Sequence, residues 1–333
     1  MIRSYAAKSA KQSLQPFEYD PEALGPWDIE VKISHCGLCH SDLHLIDNDW
    51  NISQYPLVPG HEIVGTVSAV GSNVRNLNVG QRVGIGWQRS SCFDCEWCKS
   101  GEENLCAKQE ATCVGHKGGF ADSIRADSRF AFAIPDQLPS EFVGPLLCGG
   151  ITVFSPLRSH HVDASKRVGI VGIGGLGHLA LQFAKAMGAR VTAFSSTPSK
   201  EEEAKKFGAD TFVSSTNLKE MKSLAGTFDL ILVTISQPLD WSIYLNLLRP
   251  KGALSFVGVQ SQPVSLPVFP LIAGRKSIDG SNIGNRHEIE EMLKFAAENN
   301  VKPQIEVFPM QEINAALEKL RKNQVRYRAV LKN

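Results

Sequence analysis

Three groups of residues in this 333-residue sequence have types and spacings suited to chemistry. The first is Cys92, Cys95, Cys98 and Cys106, a C-x2-C-x2-C-x7-C run. Four thiolates this close together fill a tetrahedral zinc shell and leave no open position, which makes a structural site and not a catalytic one. A dense cysteine run also suits an iron–sulfur cluster, and spacing alone leaves both readings open. The second group is Gly172-Ile173-Gly174-Gly175-Leu176-Gly177, which contains G-x-G-x-x-G. That pattern is weak by itself. Here it follows an apolar strand and opens a periodic helix, the setting in which it cradles a dinucleotide. Gly172 permits the tight turn, Gly174 lets backbone amides approach a pyrophosphate, and Gly177 lets helix and strand pack closely. The third group is dispersed: Cys39 in Cys36-Gly37-Leu38-Cys39-His40-Ser41-Asp42, His61 and Glu62 after Gly60, and Cys148 in Leu147-Cys148-Gly149. These are metal-ligand types, but spacing does not join them, and a lone Cys or His is more often a packed core residue than a ligand.

The strand after the glycine turn bears on cofactor choice. An NAD site places Asp or Glu at the end of this strand, where it bonds the ribose 2′-hydroxyl. Here the strand runs into Ser195-Ser196-Thr197, and Lys200 follows. A lysine there suits a 2′-phosphate. Glu201, Glu202 and Glu203 are the competing acids, but Ser199 and Glu202 have capping-box spacing, which assigns Glu202 to a helix start, and Gly208 ends that helix. The sequence therefore predicts NADP over NAD.

These residues need a scaffold. Thirty-five Lys and Arg balance 34 Asp and Glu, so the chain lacks the excess charge of a nucleic-acid binder. The longest uncharged apolar stretch, Val168 to Ala184, is interrupted by glycines and reads poorly as a membrane span. The first residues carry no apolar signal core, and a cytoplasmic location is expected. In that reducing setting eight cysteines should be thiols or metal ligands. The length predicts about two domains. Residues 1–148 read as a β-rich unit, with strands expected at Ile2-Arg3-Ser4-Tyr5, 29–33, 62–69 and 82–85. Residues 149–285 alternate strands and helices, with strands expected at 167–171, 190–194, 211–213, 228–235, 252–258 and 277–279. Leu176, Leu179, Ala180, Phe183 and Met187 share one helical face. Six strands with intervening helices predict a doubly wound parallel sheet. Residues 286–333 form a return to the first domain: two amphipathic stripes, Ile289-Met292-Leu293-Ala296 and Ile313-Ala316-Leu317-Leu320, and a last strand through Arg328, Val330 and Leu331.

Taken together, the sequence resembles the zinc-dependent medium-chain alcohol dehydrogenases, and within them the cinnamyl-alcohol-dehydrogenase-type branch. The resemblance rests on CGLCHSDLH at 36–44, YPLVPGHEIVGTV at 55–67, the four-cysteine loop, PLLCGGITVFSPL at 145–157, GIGGLGH at 172–178 and GSNIGNRHEIEEMLKFAAEN near the end. It implies an α/β protein: a β-rich GroES-like catalytic domain plus a Rossmann cofactor domain. It implies that Cys39, His61 and Cys148 hold a catalytic zinc, the Cys2His shell of alcohol dehydrogenases. Glu62 would be a nearby carboxylate or transient fourth ligand, and Asp42 would orient His61. Ser41 would take the substrate proton and His44 would pass it to solvent. His40 would lie near the pyrophosphate and Thr152 near the nicotinamide, with Gly172, Gly174, Gly175, Leu176, Gly177, Ser195, Ser196, Thr197 and Lys200 completing the cofactor contacts. Trp50 and Trp87 are candidate pocket walls. The implied cofactors are NADP and two zinc ions per chain. The implied reaction is hydride transfer between NADP(H) and an alcohol/aldehyde pair, with aldehyde reduction as the cellular direction. The implied partners are a small-molecule substrate and a second copy joined through sheet edges, with no nucleic acid and no membrane. A zinc-free reductase on the same fold would lack Cys39, His61 and Cys148 together, and a non-catalytic NADPH-binding protein would have no need of Ser41, His44 and Glu62. Cys36, Cys113, His35, His116, His160, His161 and His287 gain no role.

Overall fold

A computed structural model describes residues 1–333, and the chain separates into two compact units. The first contains Met1–Cys148, Asn285–Glu298 and Lys302–Asn333, and the second contains Gly149–Gly284 and Asn299–Val301. Each is mixed or alternating in the way its apolar pattern directs.

The first unit is built on a seven-stranded sheet in which six strands run in the order Ile305–Pro309, Arg328–Lys332, Asp28–Leu38, Glu62–Val70, Arg82–Ile85, Ala131–Ala133. Ser123–Asp127 is the seventh strand and pairs with Asp28–Leu38. Neighbours are antiparallel except Ile305–Pro309 with Arg328–Lys332. Val31, Ile33, Ile63, Val67, Val83 and Ile85 face its buried core. Ile2–Ala6 folds back on Gln15–Tyr19 as a separate antiparallel pair. The last strand lies between two others and not at an edge, so the tail of the chain is built into the sheet. The two trailing helices, Arg286–Glu298 and Ile313–Arg321, bury all eight residues of the two apolar stripes.

The second unit holds a six-stranded parallel sheet in the order Thr211–Ser214, Arg190–Ser195, Arg167–Val171, Phe228–Val233, Leu248–Phe256, Ser277–Gly280. In chain order this is 3-2-1-4-5-6, the doubly wound dinucleotide arrangement. Helix Gly177–Ala186 buries Leu179, Ala180 and Phe183.

One sequence expectation needs correction. Ser199 and Glu202 form no capping box: Pro198–Lys200 is a 3-10 turn, the α-helix spans Glu201–Lys206, and its first cap is Lys200, with no side-chain cap bond. Pro198 sits in the first turn, where its fixed φ is accepted, and the tighter turn moves the α-helical start downstream of Ser199. Elsewhere, Ser140–Ser159 forms one continuous helical run of 20 residues. It is long and apolar enough to cross a membrane by length and composition only, yet Val143, Leu146, Leu147, Ile151, Phe154 and Leu157 are buried inside the protein.

Candidate metal centre and dinucleotide site

Cys39 is the cap residue of helix His40–Asp47, which ends at Asn48 in the left-handed conformation. Asp42, one turn in, is fully buried, and its carboxylate collects three donors. Cys39 N–H donates to it over 2.9 Å, Gly60 N–H over 3.0 Å and His61 Nδ1–H over 3.0 Å. A single carboxylate thus ties the helix start to the loop before strand Glu62–Val70. It also fixes the His61 tautomer, because a donating Nδ1 leaves Nε2 as a lone-pair acceptor. The third segment arrives through a π-helical turn, Leu146–Gly150, that carries Cys148. Such turns are uncommon and concentrate at functional sites.

The outcome is one cluster. Ligand atoms of Cys39, His61, Glu62 and Cys148 all lie within 4.8 Å of one another. The Cys39 and Cys148 sulfurs are 3.8 Å apart. His61 Nε2 and Glu62 Oε2 are buried and have no hydrogen-bond partner in the protein. Buried polar atoms are nearly always satisfied, so two orphans aimed at paired thiols mark a cation site. Tetrahedral zinc with sulfurs at about 2.3 Å separates those sulfurs by about 3.8 Å, so the donor set fits zinc. The contact with Cys148 holds the Cys39 thiol well below the usual range, and the same contact pushes Cys148 up. Burial disfavours a charged His61, but Asp42 and Cys148 more than offset it and raise its pKa. Burial pushes the Glu62 carboxyl up to about 7, against the pull of Arg328.

Around the cluster, Ser41 Oγ lies 3.6 Å from the Cys39 sulfur. His44 is on the same helix, 43% exposed, with Nδ1 2.7 Å from Asp49. Trp87 stands edge-on to the His61 ring at 5.0 Å, and Trp50 stands against both Trp87 and His44. His40 is exposed at the helix start, and partial desolvation of its ring lowers its pKa.

Sequence reasoning missed two residues here. Arg328, nearly buried in the last strand, bonds Glu62 Oε1. Cys113 is fully buried, with its sulfur among the donors near Asp42 and His61. An arginine inside an apolar strand is a signal in principle, because buried arginines are almost always paired, but nothing in the sequence names its partner.

The four-cysteine loop closes on itself. Sulfur separations are 3.9 Å for Cys92–Cys98, 3.5 Å for Cys95–Cys98 and 3.6 Å for Cys92–Cys106. They bracket the spacing of about 3.8 Å expected around one tetrahedral zinc, whereas cluster ligands spread over several irons. Backbone N–H groups of Asp94 and Cys95 bring the Cys92 thiol down to about 6, which favours the thiolate a metal needs. Phe93, at a positive φ of 55°, is held under the Arg129 guanidinium, 3.7 Å from its ring centre.

In the second unit, Gly172 takes a φ of +94°, which non-glycine residues rarely adopt. A Cβ on Gly177 would collide with the Gly172 carbonyl, whereas one on Gly174 would meet open space. Gly175 and Leu176 complete the turn into helix Gly177–Ala186. Ser195 closes its strand, and its hydroxyl accepts the Thr197 N–H over 3.2 Å, with Ser196 exposed between them. Lys200 folds back onto the turn and donates from Nζ to the Ile173 carbonyl over 2.6 Å. Among the competing acids, Glu201 is paired with Lys205 at 2.6 Å. Thr152 lies on helix Ile151–Ser159.

Comparison with known proteins agrees with this geometry. The family described as "Alcohol dehydrogenase GroES-like domain" matches residues 25–136, and "Zinc-binding dehydrogenase" matches residues 175–298. The chain is 46% identical to the aldehyde reductase AdhA of Synechocystis, covering 99% of this chain and 98% of the relative. It is also 46% identical to a mannitol dehydrogenase of Petroselinum crispum, covering 96% and 97%. Among solved structures, a cinnamyl alcohol dehydrogenase from Sorghum bicolor superposes with a TM-score of 0.95 at 40% identity, covering 99% of this chain and 97% of that one. A CAD from Helicobacter pylori, solved with NADP(H), gives a TM-score of 0.91 at 34% identity and the same coverage. The chain belongs to the zinc-dependent medium-chain alcohol dehydrogenases, in their cinnamyl-alcohol-dehydrogenase-type branch, and is an alcohol/aldehyde oxidoreductase.

Proposed function

We propose that this protein reduces small-molecule aldehydes with NADPH at a zinc held by Cys39, His61 and Cys148. The observation that carries this reading is the pair of thiols 3.8 Å apart facing an unpartnered imidazole nitrogen. When bound, such a zinc polarises a carbonyl or acidifies an alcohol, and the nicotinamide supplies or takes the hydride.

The remaining work falls to the chain. Asp42 keeps His61 Nε2 aimed at the cluster through the Nδ1 bond. Ser41 Oγ, next to Cys39, donates a proton to the substrate oxygen in reduction and accepts it in oxidation. His44 restores that proton from solvent, to which it is open. Glu62 Oε2 is the fourth ligand when no substrate is bound, and Arg328 holds the other oxygen. Trp50 and Trp87 wall the substrate site, which suits aromatic or medium-length aliphatic aldehydes. His40 and Thr152 contact the cofactor. Gly172 to Gly177 take its pyrophosphate, and Ser195, Ser196, Thr197 and Lys200 take a 2′-phosphate, for which no carboxylate competes at the strand end. A second zinc on Cys92, Cys95, Cys98 and Cys106 holds its loop in shape. The protein works in the cytoplasm as a homodimer joined at the sheet-edge strand Ser277–Gly280, beside the exposed Val268, Phe269 and Ile272.

The test is an NADPH-oxidation screen over aromatic and aliphatic aldehydes, with mannitol and NADP as the oxidative arm. Aldehyde turnover that Cys148→Ala abolishes, with NADPH affinity retained, is the expected result. Activity confined to mannitol, or undiminished in Cys148→Ala, would overturn the reading.

A further inference from the structure

We propose that the second unit carries an anion site for a phosphate group at the end of its sheet opposite the glycine turn. Arg167 and Arg190 are the first residues of adjacent parallel strands and are direct partners in register. Arg249, near the start of a third strand, joins them around a cavity of about 370 Å³ that also takes in Thr227 and Ser165. No acidic side chain lines it.

Neither the Arg167 nor the Arg190 guanidinium makes a hydrogen bond or ion pair in the protein. The nearby carboxylates are committed elsewhere. Asp229 accepts the Arg167 backbone N–H over 2.9 Å and pairs with Arg249 at 3.0 Å. Asp163 accepts the Ser165 N–H and hydroxyl. Asp210 pairs with Lys185 at 2.5 Å, accepts the Val191 N–H and acts on Arg190 only through space. Like charges directly opposite each other on neighbouring strands are destabilising, so the Arg167–Arg190 pair carries a cost that a bound anion would relieve, with Arg249 already balanced by Asp229. The backbones beneath them are fixed: Arg190 N–H donates to the Lys166 carbonyl over 3.0 Å. Guanidinium forks match the oxygens of a phosphate, and Thr227, which carries a hydroxyl donor, also lines the cavity. The cavity exceeds a single phosphate, so both inorganic phosphate and a small phosphate monoester fit the chemistry.

The test uses the zinc-loaded protein saturated with NADP, so that the cofactor's own phosphate sites are filled. Melting temperature is followed against inorganic phosphate or glycerol phosphate at constant ionic strength, with sodium chloride as reference. Ligands that bind only the folded state raise that temperature. A rise in the parent protein that Arg167→Ala/Arg190→Ala loses, with apparent Kd about tenfold weaker or more, is the expected result. A larger response to the monoester identifies the ester as ligand, and equal responses identify phosphate itself. Phosphate also stabilises proteins without binding, so an equal rise in parent and double variant overturns the proposal, as does no rise beyond chloride. Both arginines are exposed, and Arg190→Gln alone provides the same comparison if the double variant folds poorly.

Discussion

Asp42 is the side chain on which the geometry of the metal cluster depends. It satisfies three donors from three points in the chain, and removing it leaves them buried without partners. Each orphaned donor costs roughly 1–3 kcal/mol, and losing the bond behind a metal-ligating histidine weakens metal affinity by about 10–100-fold. Asp42→Ala should therefore lower stability by several kcal/mol, about 3 or more, in urea unfolding, and release zinc at lower chelator concentration. Glu62 makes a pH prediction. Its carboxyl is pushed up to about 7 in the folded protein, so the folded state holds a proton that the unfolded state has released. In the metal-free protein this one contribution to stability is full below the ordinary value of 4.5 and is lost as pH rises through about 7. Glu62→Gln should remove that decline between about pH 5 and about pH 7.5, and a parallel decline in both proteins would count against it. At the cofactor strand, Ser195→Asp should shift preference from NADPH towards NADH, read as the ratio of kcat/KM values.

At the scale of elements, apolar periodicity carried most of the reading. Arg82–Ile85 and Arg167–Val171 are strands with the expected bounds. The glycine turn was legible because Gly172 and Gly177 each answer a local steric demand. The Ser199–Glu202 cap was not, because a proline three residues before the α-helix start changes which residue ends up as the cap. The Arg328–Glu62 contact was beyond reach for another reason: 266 positions separate the partners, and only the sheet order joins them. The four-cysteine loop is an element with two kinds of support, the zinc proposed for it and the Arg129 stack on Phe93. Cys95→Ser should lower the zinc content by one ion per chain. Amide exchange should then rise through residues 92–106 and change little in strand Glu62–Val70, which pairs through its own ladder.

The molecule as a whole is discontinuous in sequence. Its first unit is assembled from three segments, with almost all of the second unit inserted before the last two. Strand Arg328–Lys332 pairs with both Ile305–Pro309 and Asp28–Leu38, so deleting residues 326–333 removes an interior strand and not a dangling tail. The truncated chain should be insoluble or unfolded in its first unit, while residues 149–284 keep the far-ultraviolet signature of a parallel sheet with helices.

The placement of that strand also constrains biosynthesis. A ribosome delivers this chain from its amino end, so the strand that completes the central sheet emerges after the nucleotide-binding insertion. The thiols and imidazole of the first unit therefore wait, exposed and without their final surroundings, while the whole nucleotide-binding insertion is being made. Completion of the first unit's sheet thereby waits on synthesis of the whole insertion.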